Sequence, residues 1–182
     1  MVYVFLAEGF EEIEALTPVD YLRRAGKDVT LLGVTGKHVT GAHAITVTAD
    51  TVITDDFLLP EDAELIFLPG GMPGTKNLAA SVGVKHAIRA ALDRNIFIAA
   101  ICAAPMVLCQ NGCLQGGQAV IFPGMEAELC GATASQQPIV VWNKTITARS
   151  AGVAGSFAIK LIEMLCGAEH AKKIKESIYP NW

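Results

Sequence analysis

Four short, nearly continuous apolar runs punctuate the chain: VYVFLA (residues 2–7), DVTLLGV (28–34), ELIFLPGG (64–71) and IFIAAI (96–101). Runs of this length without polar alternation suit parallel strands covered on both faces. Between them the period becomes helical. PVDYLRRAG ends in a glycine cap at Gly26, and GVKHAIRAALDRN aligns Val84, Ile88, Ala91 and Leu92 on one face. Strand and helix in alternation predict an α/β, flavodoxin-like three-layer sandwich around a mostly parallel sheet. Two stretches break the rhythm. HAITVTADTVI and QQPIVVWNKTITARS alternate apolar with polar residues, as extra β-hairpins do, with WNK as the turn of the second. Two helices, AGSFAIKLIEMLCG and AEHAKKIKESIY, close the pattern. With no repeat or linker, it predicts a single domain over residues 1–182.

Composition narrows the class. The chain has 182 residues, 52% hydrophobic and 18% charged, enough for a full core without disulfides or a structural metal. A formal net charge of −4 with scattered basic residues argues against nucleic-acid partners. No apolar run approaches the roughly 18 residues of a membrane span, and the N-terminus reads as a strand, not a leader. Five cysteines, odd in number and irregular in spacing, do not suggest a disulfide framework and point to a reducing, cytoplasmic setting.

The candidate chemistry lies in the loops after the apolar runs, since open parallel sheets carry their sites beyond the carboxyl ends of the strands. In EGFEEIEALTPVD, Thr17–Pro18 reads as an N-cap with proline at the first helical position, which places Glu11, Glu12 and Glu14 in the turn before the helix. LPGGMPGTKNL forms a tight turn whose N–H groups can point outward. The last apolar run ends at Cys102, with Ala103 opening a helix whose positive end faces the thiol. Each feature has an ordinary explanation: a turn, a dipole match, a packed cysteine. Together they supply a thiol at a helix start, N–H donors and a nearby carboxyl, the set that activates a cysteine. Cys109 and Cys113 flank a helix break at Gly112 without a histidine nearby, so core packing is expected there; Cys130 and Cys166 read as small apolar fillers.

EGFEEIEALTPVDYLRRAG, LPGGMPGTKNL and AAICAAPMVL, in this order and spacing, resemble the ThiJ/PfpI superfamily, and within it the DJ-one-like branch of oxidation-sensing proteins and protein deglycases. The resemblance runs over nearly the whole chain. It implies a homodimer, a nucleophile elbow at Cys102, a protonated Glu14 bonded to an acidic thiolate, and an oxyanion hole from the N–H groups of Gly71 and Ala103. Gly70 and Phe122 are implied as binding positions, with neither a metal nor a cofactor. Many relatives carry a histidine beside the cysteine, followed by proline; here VIFPGMEAEL puts Phe122 at that place, so proton transfer falls to Glu14 or water. ARSAGVAGSF also departs from the usual glycine-rich turn, leaving no firm expectation for Arg149.

Ala103 stands where the protease-like branch has histidine, and His170 is the one histidine after Cys102, so peptidase and amidotransferase activities are not expected. No GxxxxGK[ST] phosphate loop is present. Two readings remain. One is a cofactor-independent stress-response enzyme acting on small carbonyl compounds or glycated groups, glyoxalase- or deglycase-like. The other is a non-catalytic redox sensor or chaperone whose Cys102 oxidises to sulfinic acid.

Overall fold

The computed structural model describes residues 1–179. The apolar runs form β1 (Val2–Leu6), β2 (Val29–Gly33), then β6 (Leu65–Leu68) and β7 (Phe97–Ile101), after three short strands: β3 (His38–Thr40), β4 (Thr46–Thr48) and β5 (Thr51–Val52). Four more follow: β8 (Gln118–Ala119), β9 (Thr133–Ala134), β10 (Ile139–Trp142) and β11 (Thr145–Ala148). The helices are α1 (Glu12–Arg24), α2 (Gly74–Ala80), α3 (Val82–Asp93), α4 (Pro105–Gln110), α5 (Ala154–Cys166) and α6 (Ala168–Ser177).

Seven strands make one sheet in the order β10-β11-β7-β6-β1-β2-β5, parallel except where β10 pairs antiparallel with β11. Trp142 opposes Thr145, so the turn of that hairpin is Asn143 and Lys144, with Asn143 at φ +52°. β3 pairs with β4 outside the main sheet.

Strand alternation divides the core into two layers. Tyr3, Phe5, Ile66, Leu68, Ile98 and Ala100 face one side, with Val84 and Ile88 of α3 and Val107 and Leu108 of α4. Val2, Val4, Leu6, Phe67, Ala99 and Ile101 face the other, with Leu22 of α1 and Phe157 and Leu161 of α5. This is the expected mixed α/β sandwich with a mostly parallel sheet.

Helix starts follow local chemistry in one case and tertiary packing in another. Ser81 caps α3, its hydroxyl accepting the Val84 N–H at 3.3 Å. Ser81→Ala should lower unfolding free energy by about 1 kcal/mol, read as a shift of the denaturant midpoint with unchanged slope. α1, by contrast, starts at Glu12 and carries Pro18 in its interior, not near Pro18 as Thr17–Pro18 suggested. Proline there gives up an N–H bond to the residue four before it. Burial of Glu12, Glu14, Ala15, Pro18, Val19 and Leu22 against the sheet and α5 outweighs that loss. Glu12 and Glu14 therefore lie in the first turn of the helix, not in a preceding turn.

Candidate active site

The chain leaves β1 for β2 on one side and later returns to β6 on the other. That reversal opens a crevice beyond the carboxyl ends of β1 and β6, with β7 alongside. The loops after these three strands carry the three sequence motifs.

Cys102 follows β7 directly and has φ +64°. The left-handed region is strained for a residue with a Cβ, at a cost of about 1–3 kcal/mol. Two hydrogen bonds hold it there: its N–H donates to the Ala148 carbonyl at 2.9 Å, and its carbonyl accepts the Phe122 N–H at 2.8 Å. The half-buried thiol thereby projects into the crevice from a sharp strand-to-helix joint.

The N–H groups of Gly71 and Ala103 both interact with the thiol and favour its anion. Gly71 sits at φ +92°, and a Cβ there would lie 2.4 Å from the Glu11 nitrogen, so glycine alone fits. The turn is stitched to the first motif by the Glu11 N–H on the Gly70 carbonyl at 2.9 Å and the Gly74 N–H on the Gly9 carbonyl at 3.1 Å. Gly70 itself is a close-approach position: a Cβ there would lie 2.4 Å from Glu14 Oε2 and 2.6 Å from Cys102 Cβ.

Glu14 is 1% exposed, and its carboxyl meets the Cys102 thiol and the N–H groups of Gly70 and Ala151. Oε2 completes no hydrogen bond of regular geometry. A carboxylic acid, able to turn a proton toward the sulfur, suits such an oxygen better than a carboxylate, which only accepts. Burial pushes Glu14 up to about 7. Burial, followed by the charge of Glu14 and their mutual hydrogen bond, pushes the Cys102 thiol up to about 12.

Opposing influences therefore act on the thiol: burial and Glu14 raise it, and the two N–H groups lower it. The helix meant to lower it begins at Pro105, not Ala103, and is only six residues long. Apolar surroundings and a neighbouring carboxyl outweigh two N–H groups. The pair supports one negative charge, shared, and resists a second. Each group's ionisation opposes the other's, so the thiolate is favoured only while Glu14 keeps the proton.

Glu14→Leu should therefore lower the midpoint of Cys102 alkylation, because the charge of Glu14 and its hydrogen bond both raise the thiol while the N–H groups of Gly71 and Ala103 remain. A midpoint that rises instead would place the shared charge on the sulfur. Stability responds in a defined direction. Because the folded value of Glu14 lies above its ordinary 4.5, its contribution is complete below 4.5 and is lost as pH rises through about 7. Glu14→Gln should flatten that part of the stability–pH curve, measured by denaturation at each pH.

A cavity of about 350 Å³ opens over the thiol, lined by Gly71, Met72, Ala103, Phe122, Pro123 and Met125 among others. Phe122 is 44% exposed and forms part of this wall. Met72, Pro123, Met125 and the Ala151 N–H escaped the sequence reading, because turn residues around a site carry no period. Arg149 is bonded to the segment before β10: its N–H donates to the Pro138 carbonyl and its guanidinium to the Gln136 carbonyl.

Glu11, Glu12 and His43 place three potential metal-ligand atoms within 4.8 Å of one another. Glu12 accepts the His43 N–H at 2.8 Å and lies 3.1 Å from its Nδ1, and Glu11 lies 3.4 Å from the same ring nitrogen. Burial opposes ionisation of Glu12, but bonds from its own backbone, the His43 ring and the N–H groups of His43 and Ile45 hold it below the usual range.

The other cysteines bring a second correction. Cys109 and Cys130, expected as core packing and an apolar filler, form a disulfide. Three helical residues of spacing or a shared motif would have signalled it; a partner 21 residues away across β8 does not. Cys113 is buried and free, as packing predicts, and Cys166 is free at the end of α5.

Comparison with known proteins gives one consistent answer. The profile of the DJ-1/PfpI family matches residues 1–164. The chain is 34% identical to the zebrafish (Danio rerio) Parkinson disease protein 7 homolog, over 94% of this chain and 93% of that protein. It is 33% identical to the Drosophila melanogaster protein dj-1beta, over 96% of this chain and 94% of that one. Among solved structures, oxidised Toxoplasma gondii DJ-1 superposes with a TM-score of 0.92 at 34% identity, covering 100% of this chain and 98% of the other.

Proposed function

The chain belongs to the DJ-1/PfpI family, and from that premise we propose that it is a stress-protective protein that acts on small reactive carbonyls, or on early glycation adducts, through Cys102 and without a cofactor. The observation that carries this reading is the juxtaposition of a strained, half-buried thiol, a buried Glu14 of raised affinity for its proton, and two N–H groups aimed at the sulfur.

For methylglyoxal the steps balance as an internal redox reaction plus water. The Cys102 thiolate adds to the aldehyde carbon, and the N–H groups of Gly71 and Ala103 hold the oxyanion while Glu14 supplies its proton. Glu14 then takes the proton from the former aldehyde carbon and returns it to the neighbouring ketone carbon through an enediol. The product is a thioester of lactate, and water hydrolyses it, releasing lactate and the thiol. Phe122 cannot move a proton, so Glu14 and water carry every transfer. The cavity wall of Met72, Phe122 and Met125 lowers the water content around the adduct.

That same phenylalanine favours a second reading, a redox sensor in which Cys102 oxidises to the sulfinic acid and the N–H groups and Glu14 stabilise it. The test is cofactor-free incubation with methylglyoxal, following its loss and the appearance of lactate, beside intact mass after mild peroxide. Lactate no faster than in a protein-free control rejects the enzyme. A gain of two oxygens at Cys102 in the same preparation selects the sensor.

Homodimerisation belongs to this reading as well. Ile13 and Ile45 are exposed large apolar side chains that a second copy would cover. Among the described residues no helix is long and apolar enough to cross a membrane, and a cytoplasmic site of action is proposed.

A further inference from the structure

The Cys109–Cys130 disulfide takes no part in the chemistry above, yet it fastens two pieces of the cavity to each other. Cys109 lies on α4, which follows the Cys102 joint. Cys130 ends a 3-10 turn, Glu126–Leu129, which continues the stretch containing Phe122, Pro123 and Met125 over the thiol. That stretch is otherwise thinly held. Residues 122–124, 126–128, 130 and 131 are exposed, and Leu129 alone is buried. Its hydrogen bonds are mostly internal: Met125 N–H to the Phe122 carbonyl, Gly124 N–H to the Glu126 side chain, Glu128 N–H to the Met125 carbonyl. Anchors to the rest of the chain come at its ends, Phe122 N–H on the Cys102 carbonyl and Thr133 N–H on the Gly117 carbonyl. Between those ends, the Leu129 side chain in the core, Met125 and Ala132 packed partly against it, and the disulfide tie it down.

We propose that Cys109–Cys130 is a thiol–disulfide exchange site for small dithiols, entered at Cys130, and that its oxidation state sets how firmly the cavity wall is held over Cys102. Cys130 is exposed while Cys109 is buried, so an incoming thiolate attacks the Cys130 sulfur. A mixed disulfide forms at Cys130 and Cys109 leaves as a thiolate that takes up a proton. The second thiol of the reagent then closes a cyclic disulfide and releases Cys130 as a thiol. The protein gains two electrons and two protons, and the dithiol loses them. Cys113, buried and raised to about 12 by burial, does not compete as the resolving thiol. With the bridge open, the wall is left to Leu129, the partial packing of Met125 and Ala132, and its end anchors, and the population of open conformers rises. This inference concerns access to Cys102 and holds whether or not that thiol turns over carbonyls.

The experiment uses full-length protein whose Cys102 is shown by intact mass to carry no oxygen. Free thiols are counted under denaturing conditions before and after dithiothreitol, with hydrogen exchange over residues 122–131 and the alkylation rate of Cys102 by peptide mapping. The expected count is three before reduction, matching Cys102, Cys113 and Cys166, and five after. Reduction should raise exchange in 122–131 and speed alkylation of Cys102 by roughly tenfold, the scale of releasing a local cross-link. Cys130→Ser should show the fast rate without reductant and no further response to it. Five thiols before reduction of protein equilibrated with oxidised glutathione, or an unchanged exchange pattern and alkylation rate after reduction, overturns the proposal. Reduced wild type supplies the same comparison should the variant fail to fold.

Discussion

Cys102→Ala should bring methylglyoxal consumption down to the rate of buffer alone, a loss of at least about 10³-fold wherever wild-type turnover is measurable. Nothing else near the cavity can form the covalent adduct. Cys113 lies in the core away from it, and the lining is otherwise backbone, Met72, Phe122 and Met125. The loss should fall on kcat, because the apolar wall that encloses the substrate is untouched. Cys102 is also strained at φ +64°, so alanine retains the backbone cost while losing the thiol. Cys102→Gly relieves that strain and should unfold at higher denaturant than Cys102→Ala, which separates loss of chemistry from loss of fold. Consumption that survives in either variant would remove Cys102 from the reaction and with it the carbonyl reading.

Gly70→Ala is expected to damage both stability and chemistry. The added Cβ would lie 2.4 Å from Glu14 Oε2, 2.6 Å from Cys102 Cβ and 2.9 Å from the Ile101 carbonyl. The carboxyl can swing away, but the Ile101 carbonyl belongs to β7 at the centre of the sheet and cannot. Overpacking of this kind costs about 1–3 kcal/mol. The relief it forces pushes Glu14 and the thiol apart, and a displacement near 1 Å costs roughly 10²-fold in rate. Denaturation and methylglyoxal turnover measured together test this. A variant as active as wild type would mean that the Glu14–Cys102 contact is not needed. Its alkylation midpoint should resemble that of Glu14→Leu, since both uncouple the pair.

How the sequence read the molecule depends on the range of the interaction concerned. Val2–Leu6, Val29–Gly33, Leu65–Leu68 and Phe97–Ile101 announced themselves because strands buried on both faces are apolar at every position. The Ile139–Trp142 and Thr145–Ala148 hairpin showed in its alternation. Thr17–Pro18 misled, because a capping signal is local and the start of α1 is set by what its first turn buries. Neighbours in sequence single out Cys102, but they carry no sign that Cys109 meets Cys130 across 21 residues.

What the sequence determined by itself is the family, the α/β sandwich and a thiol at a strand-to-helix joint. Periodicity and short motifs carry these, because they depend on residues a few positions apart. Only the tertiary structure decided what kind of thiol it is. Stacking β1, β6 and β7 brings Glu14, Gly70 and Cys102 into contact from three separate loops, in a space too tight for one more carbon. A protonation state is set by burial and by charges close in space, and the chain order holds neither. Cys102 therefore emerges as half of a pair whose protonation is coupled to that of Glu14.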